Sequence, residues 1–304
     1  MELGYDRPLF ILPFDQRSTF ERGLFNYSPP LSEAQTATIA ASKQVIYDGF
    51  KLALDKGAPH ETAGILVDEQ YGTPILRDAN AQGFITCMPT EKSGRSEFVF
   101  EYGDRWRDHI ETFAPTFVKV LVRYNVEEDE AMNRRQSSRL KELSDYCHQA
   151  NHHFMFELLV PMTLEQSDRL EGNHRFYDHH LRPSLMIAAI KELQEAGVEP
   201  DVWKVEGLDL RGDCEALVAT ARRDGRDQVG CIVLGRGSDE AGVLAWLKTA
   251  AAVRGFIGFA IGRTSFWGSL VGMRDRTLTR DAAVSLIAVR YAEWLQAFTS
   301  ARSG

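Results

Sequence analysis

Asp201-Val-Trp-Lys204-Val-Glu206-Gly207 reads as a buried β-strand with a lysine in its middle and a carboxylate two residues later. A strand sends residues i and i+2 to the same face, so Lys204 and Glu206 should share one. An ammonium among apolar neighbours is costly unless it is paired or used. A desolvated lysine is also what imine-forming catalysis requires. The residue type and its setting therefore point to Lys204 as the amine that forms a Schiff base with a substrate ketone.

Outward from this strand the same kind of segment recurs. Short apolar runs stand at 8–14, 64–69, 83–88, 117–122, 154–160, 230–234 and 255–261. Helical stretches separate them. Ser32-Glu-Ala-Gln35 has the form of a capping box opening a helix to about Lys56, with Gly57 as its stop. Further helices are expected around 74–81, 104–113, 127–149, 183–196, 214–224, from a Ser238 cap through 252, after Arg263, and from Thr279 to about Phe298. Pro89 to Glu101 is polar and reads as a loop. Eight nearly continuous apolar strands alternating with helices indicate a parallel sheet covered on both faces. Eight such units in 304 residues match a (β/α)₈ TIM barrel, with residues 1–304 as one domain. A doubly wound pair of domains fits less well, because no linker divides the chain and no GxGxxG follows the first strand.

Composition narrows the function classes. A net charge of −8 argues against nucleic acid as a partner. No apolar run approaches the ~20 residues that cross a bilayer, and the first residues lack the basic and apolar regions of a secretory signal. The four cysteines are scattered without a CxxC pair, which suits reduced thiols in a cytoplasmic protein. A homo-oligomer is compatible with the sequence.

In a barrel, active groups sit at the C-terminal ends of the strands. The ionisable residues fall there: Asp15 after the first strand, Asp68 and Glu69 ending the second, and Lys119 within the fourth. Glu157 interrupts the fifth strand, and Lys204 and Glu206 the sixth. Such residues are rarely buried unless paired. A structural salt bridge between Lys119 and Glu157 is the plain alternative. Buried ion pairs add little stability once desolvation is counted, so the set as a whole points to a polar cluster in the barrel mouth. Gly235-Arg236-Gly237 follows the seventh strand and Gly262-Arg263 the eighth, where this fold commonly holds a phosphate. Glycine lets the backbone approach and arginine supplies a charged fork. His152, His153, His174, His179 and His180 lack zinc-site spacing, so no metal or other cofactor is expected. Cys87 and Cys231 read as core residues.

With these residues in place the chain resembles the 2-deoxy-5-keto-D-gluconate 6-phosphate aldolase domain of myo-inositol catabolism. The matching stretches include Ile11-Leu-Pro-Phe-Asp15-Gln-Arg17, Val67-Asp68-Glu69-Gln-Tyr-Gly72 and Phe117-Val-Lys119-Val-Leu-Val-Arg123. They continue with Phe156-Glu157-Leu-Leu-Val-Pro161, Trp203-Lys204-Val-Glu206-Gly207, Leu234-Gly-Arg236-Gly237 and Ile261-Gly262-Arg263-Thr264. More distantly it is similar to class I tagatose-bisphosphate and sulfofructose-phosphate aldolases, whose four key positions correspond to Asp15, Lys119, Glu157 and Lys204. The resemblance implies a stand-alone class I aldolase acting on a phosphorylated keto-sugar. Lys204 would be the imine lysine, Glu157 the proton-transfer residue, and Asp15 or Glu69 the cleavage base. Arg236 and Arg263 would hold the phosphate, while Arg17 or Arg123 would meet a substrate carboxylate. Imine formation needs a neutral amine, and a free lysine with pKa ~10.4 is almost wholly protonated at neutral pH. Desolvation and the charge of Lys119 are the expected means of loosening that proton. Two rival readings are a metal-dependent aldolase or isomerase on the same barrel, and a non-catalytic barrel that senses sugar phosphates.

Overall fold

Each of the eight apolar runs folds as a strand, because each is a short, branched and aromatic segment that helices can bury on one side. The computed structural model describes residues 2–303, with β1 (Leu9–Pro13), β2 (Ala63–Leu66), β3 (Ile85–Pro89), β4 (Phe117–Arg123), β5 (His153–Leu159), β6 (Val202–Glu206), β7 (Gly230–Leu234) and β8 (Phe256–Ala260). They pair in sequence order, all parallel, and β8 returns to β1 to close the barrel. The outer layer holds α1 (Glu33–Asp55), α2 (Glu69–Ala81), α3 (Trp106–Phe113) and α4 (Glu130–Gln149). After the short α5 (Leu164–Arg169) and α6 (His174–Phe176) come α7 (Arg182–Glu195), α8 (Arg211–Ala221), α9 (Glu240–Ala251), α10 (Arg263–Arg274) and α11 (Arg280–Ser303).

Strand alternation divides the core in two. Ile11, Leu66, Phe117, Met155, Val202 and Ile232 form one buried cluster made almost wholly of strand residues, which fills the barrel. Their sequence neighbours, such as Leu12, Val118, Phe156 and Trp203, pack outward with the helices. Lys119, Glu157 and Lys204 each lie two residues beyond a barrel-filling residue, so the period of two aims all three inward.

Element boundaries differ from the sequence expectation where an aspartate caps. Asp68 accepts the Tyr71 N–H at 2.9 Å, so α2 opens at Glu69 and takes Pro74 inside it, at the loss of one helical hydrogen bond. Asp129 accepts from Met132 N at 2.7 Å and starts α4 three residues after the expected Glu127. Asp239, rather than Ser238, caps α9 through Gly242 N at 2.8 Å. The Ser32/Gln35 capping box forms as the sequence indicates. The last helix runs to Ser303, beyond the expected end near Phe298.

At the opposite end of the barrel from the strand-borne charges, Asp201 ties the N-terminal segment down. Its fully buried carboxylate accepts the N–H groups of Gly4 and Phe154, both at 2.7 Å. Burial alone would raise this carboxyl, but His148, His153 and the two N–H groups hold it well below the ordinary range. A depressed folded value stabilises the native state fully above the unfolded pKa of ~3.9, and that stability fades as pH falls below it. Urea unfolding of Asp201→Asn should therefore show a flatter dependence on pH between about 5 and 3 than the wild type. The variant should also lose on the order of 2 kcal/mol at pH 7. Parallel curves for the two proteins would contradict this role.

Candidate active site

One ammonium organises the barrel mouth. Lys119 Nζ, fully buried, lies 2.9 Å from Asp15 Oδ2, 2.8 Å from Glu91 Oε1 and 2.9 Å from Glu157 Oε2. Burial would lower the Lys119 pKa, yet Asp15, Glu157 and Glu91 together raise it well above the ordinary lysine value. Lys119 is thus a fixed cation filling the point on which three carboxylates converge. The Lys119 charge expected to act on Lys204 is met by these carboxylates, and its pairing with Glu157 is the salt bridge weighed as the plain alternative.

Glu157 joins the two lysines. The same Oε2 that meets Lys119 lies 2.9 Å from Lys204 Nζ. The register explains this: Glu157 pairs directly with Lys204 across β5 and β6, and both point inward. Burial would raise the Glu157 carboxyl, but Lys119 first and Lys204 second hold it below the ordinary range. Asp15 behaves alike: burial opposes ionisation, and Lys119 with Lys204 behind it brings the carboxyl down to about 2.

Lys204 is 3% exposed, and that small opening faces a cavity of about 280 Å³. The cavity walls include Glu157, Arg123, Arg236, Gly237 and Arg263, so the amine and both Gly-Arg turns share one space. A second cavity of about 170 Å³ shares Glu157 and Arg123 with it and reaches Asp15, Arg17 and Glu91.

The two turns differ in what they leave free. Arg236 has φ +48° and spends its guanidinium on Glu206 at 2.7 Å and Asp178 at 2.5 Å. Glu206, buried, also accepts the Val160 N–H at 3.0 Å, and burial raises its carboxyl in spite of Arg182 and Arg236. Among the described residues no carboxylate lies within ion-pair reach of Arg263, whose Nη2 donates to Arg236 O at 3.3 Å. Gly237 makes this packing feasible: its φ is +74°, and a Cβ there would stand 2.1 Å from Arg263 Nη2. At Gly262 a Cβ would meet Pro13 O at 2.4 Å. Gly262 also gives α10 no side-chain cap, so the helix presents an open N-terminus beside Arg263. An unpaired guanidinium at an uncapped helix start is a site suited to an anion.

Several sequence-predicted residues are turned elsewhere. Glu69 accepts from Tyr102 Oη and lies 3.3 Å from His109 Nε2, and it makes no contact with Lys119 or Lys204. Those two partners hold its carboxyl below the ordinary range although burial opposes them. Arg17 is consumed by Glu101 at 2.8 Å and by the Glu91 carbonyl at 2.6 Å. Arg123 has only the Arg95 carbonyl at 3.1 Å and, among the described residues, no carboxylate. Glu91 is the member of the cluster that sequence reasoning missed. It continues the inward alternation of Cys87 and Pro89 past the end of β3, a signal hidden by the polar loop around it.

Fold and site together define a (β/α)₈ barrel whose mouth pairs a fixed lysine and a cavity-facing lysine through one glutamate, across from an anion-ready helix start. The chain belongs to DUF2090, a family described as "Uncharacterized protein conserved in bacteria", whose profile matches residues 5–302. It is 25% identical over 200 residues to Tagatose 1,6-diphosphate aldolase 1 of Enterococcus faecalis, a match covering 64% of this chain and 56% of that relative's length. The chain thus spans little more than half of the curated relative it matches. In structure it is similar to fructose-bisphosphate aldolase from Plasmodium falciparum, at 12% identity and TM-score 0.67, covering 99% of this chain and 93% of that one. A fructose-bisphosphate aldolase from Slackia heliotrinireducens aligns at 11% identity and TM-score 0.55, covering 92% and 85%. At these identities the likeness to the solved structures concerns the fold alone.

Proposed function

We propose that this protein is a class I aldolase that cleaves a phosphorylated keto-sugar through a Schiff base on Lys204. The observation that carries the reading is the shared cavity, which has the Lys204 amine on one wall and the unpaired Arg263 with the α10 N-terminus on another. The substrate named by the sequence resemblance is 2-deoxy-5-keto-D-gluconate 6-phosphate. Its phosphate, on C6, rests at Arg263 and the helix start, which brings the C5 ketone to the lysine. Glu157, ionised, accepts a proton from the Lys204 ammonium, and the freed amine attacks C5. The same carboxyl returns the proton to the carbinolamine hydroxyl, which leaves as water.

The protonated imine then withdraws electrons from the C3–C4 bond. Asp15, kept ionised by Lys119, takes the C3 hydroxyl proton as that bond breaks. Malonate semialdehyde leaves, C4 of the enamine is reprotonated, and hydrolysis releases dihydroxyacetone phosphate. Arg123 closes β4, the strand opposite β8 in the ring, and is the free guanidinium for the substrate carboxylate at C1. A second reading, tagatose 1,6-bisphosphate, is favoured by the Enterococcus relative's name, and Arg123 would then face the second phosphate.

Borohydride reduction with each ketose phosphate, followed by peptide mapping, tests the proposal. A stable adduct on Lys204 with one preferred substrate is expected. Turnover without any trapped adduct, or an adduct on another lysine, would sink it. The two arginines give a further expectation. Arg263→Met should raise KM by about 10- to 100-fold, the worth of a charge-assisted hydrogen bond. Arg236→Met should raise it less, because Glu206 and Asp178 already compete for that guanidinium. Steady-state kinetics that rank the two in reverse would move the phosphate to the β7 turn.

A further inference from the structure

We infer that Lys43 is a positioning residue, which from the outer helix α1 clamps the carbonyls of Phe14 and Gln16, the residues on either side of Asp15, and so aims that carboxylate at the reacting centre. Its Nζ donates to Phe14 O at 2.7 Å and to Gln16 O at 3.0 Å, the carbonyls on either side of Asp15. The third proton goes to Asp68 Oδ1. An ammonium has three protons, and here each has one acceptor. The side chain is fully buried, and its head lies 4.8 Å from the centre of the Phe20 ring.

The arrangement exceeds what folding requires. Asp68 already caps α2 through its other oxygen, at 2.9 Å from Tyr71 N. Phe14 N–H, for its part, continues the β1–β2 ladder to Leu66 O at 2.8 Å. What Lys43 adds is a fixed direction for the turn after β1, where Asp15 leaves the strand to meet Lys119. Buried ion pairs add little net stability, so a charged clamp costs desolvation that an apolar residue would avoid. Lys43 is a poor candidate for the imine lysine, since all three of its protons are engaged and its side chain is fully buried.

The kinetic test rests on the aldolase reading, and a double-mutant cycle separates the two. Removing Lys43 alone would strand a buried carboxylate, so the first variant is Lys43→Met with Asp68→Asn, which neutralises both partners and leaves an oxygen for the α2 cap. Imine formation with dihydroxyacetone phosphate, read by borohydride trapping, should stay within about threefold of wild type. Carbon–carbon cleavage in single turnover should fall by about 10- to 100-fold. In an Asp15→Asn background the same pair of changes should cost less than about threefold, because the clamp acts through Asp15. Equal losses in both backgrounds, or no loss in either, overturn the inference. Should the pair variant not fold, Lys43→Arg keeps the charge against Asp68 but displaces the Phe14–Gln16 carbonyls, and the same non-additivity with Asp15→Asn is required of it. Wild-type protein that traps no imine refutes the aldolase reading, whereas an additive cycle with intact trapping refutes only the clamp.

Discussion

Replacing Lys204 by methionine is expected to lower ketose-phosphate cleavage by at least ~10⁴-fold, since loss of a covalent nucleophile removes the whole imine pathway rather than one contact. The borohydride-trapped adduct should vanish with it. Lys119 cannot substitute, because its ammonium is fully buried and held by three carboxylates. The fold should survive the change. Glu157 keeps its 2.9 Å contact with Lys119 when Lys204 is gone, so no buried carboxylate is left without a partner. Methionine keeps most of the apolar stem, and unfolding free energy should shift by about 1 kcal/mol or less. Kinetics and chemical denaturation on one preparation check both halves. A Lys204→Met protein that still cleaves at more than a hundredth of the wild-type rate would exclude an imine at this position.

How much of this site a reader of the sequence could foresee depended on whether its partners were local. The period of two in β5 and β6 is a local signal, and it correctly placed Glu157 and Lys204 on the inner face. The same rule, carried beyond Pro89, would have reached Glu91, but the polar loop broke the pattern to the eye. Lys43 was also legible in principle. Ile39, Lys43, Ile46, Phe50 and Ala53 follow one helical stripe of alternating steps of four and three, and all are buried. A lysine on an apolar stripe asks for a partner just as one in a strand does. Other features were not legible, because their causes lie far along the chain. Glu69 ends the β2 segment, yet the Asp68 cap turns the backbone into α2 and swings Glu69 towards Tyr102 and His109. Arg236 loses its free charge to Asp178, 58 residues away, and nothing near the Gly-Arg-Gly turn announces it.

The second large effect is expected at Glu157. Its Oε2 meets both Lys119 and Lys204, and among the described residues it is the carboxylate paired with Lys204, so in the proposed cycle it carries the proton between that amine and the substrate oxygen. Lys119 and Lys204 hold its carboxyl below the ordinary range despite burial, so in the proposed cycle it begins as a base. A glutamine can accept from one lysine but cannot take up a proton and hand it back. Glu157→Gln should reduce kcat by about 10²- to 10⁴-fold, the usual worth of a positioned acid–base group. Trapped imine should accumulate more slowly by a similar factor, while KM, which the proposed phosphate site at Arg263 governs, should change little. Lys119 retains Asp15 and Glu91 in this variant, so the barrel should stay folded. Glu157→Asp, one methylene shorter, keeps a titratable carboxyl and should recover part of the loss by restoring proton transfer across a longer gap. The sign in pH follows from the depressed carboxyl. A group held below its ordinary ~4.3 loses its charge only under that pH, so the wild-type rate should show no acid limb from Glu157 between pH 5 and 8. An acid limb centred near pH 6 that disappears in Glu157→Gln would show that the carboxyl is protonated at rest, and the direction of proton transfer drawn above would have to be reversed.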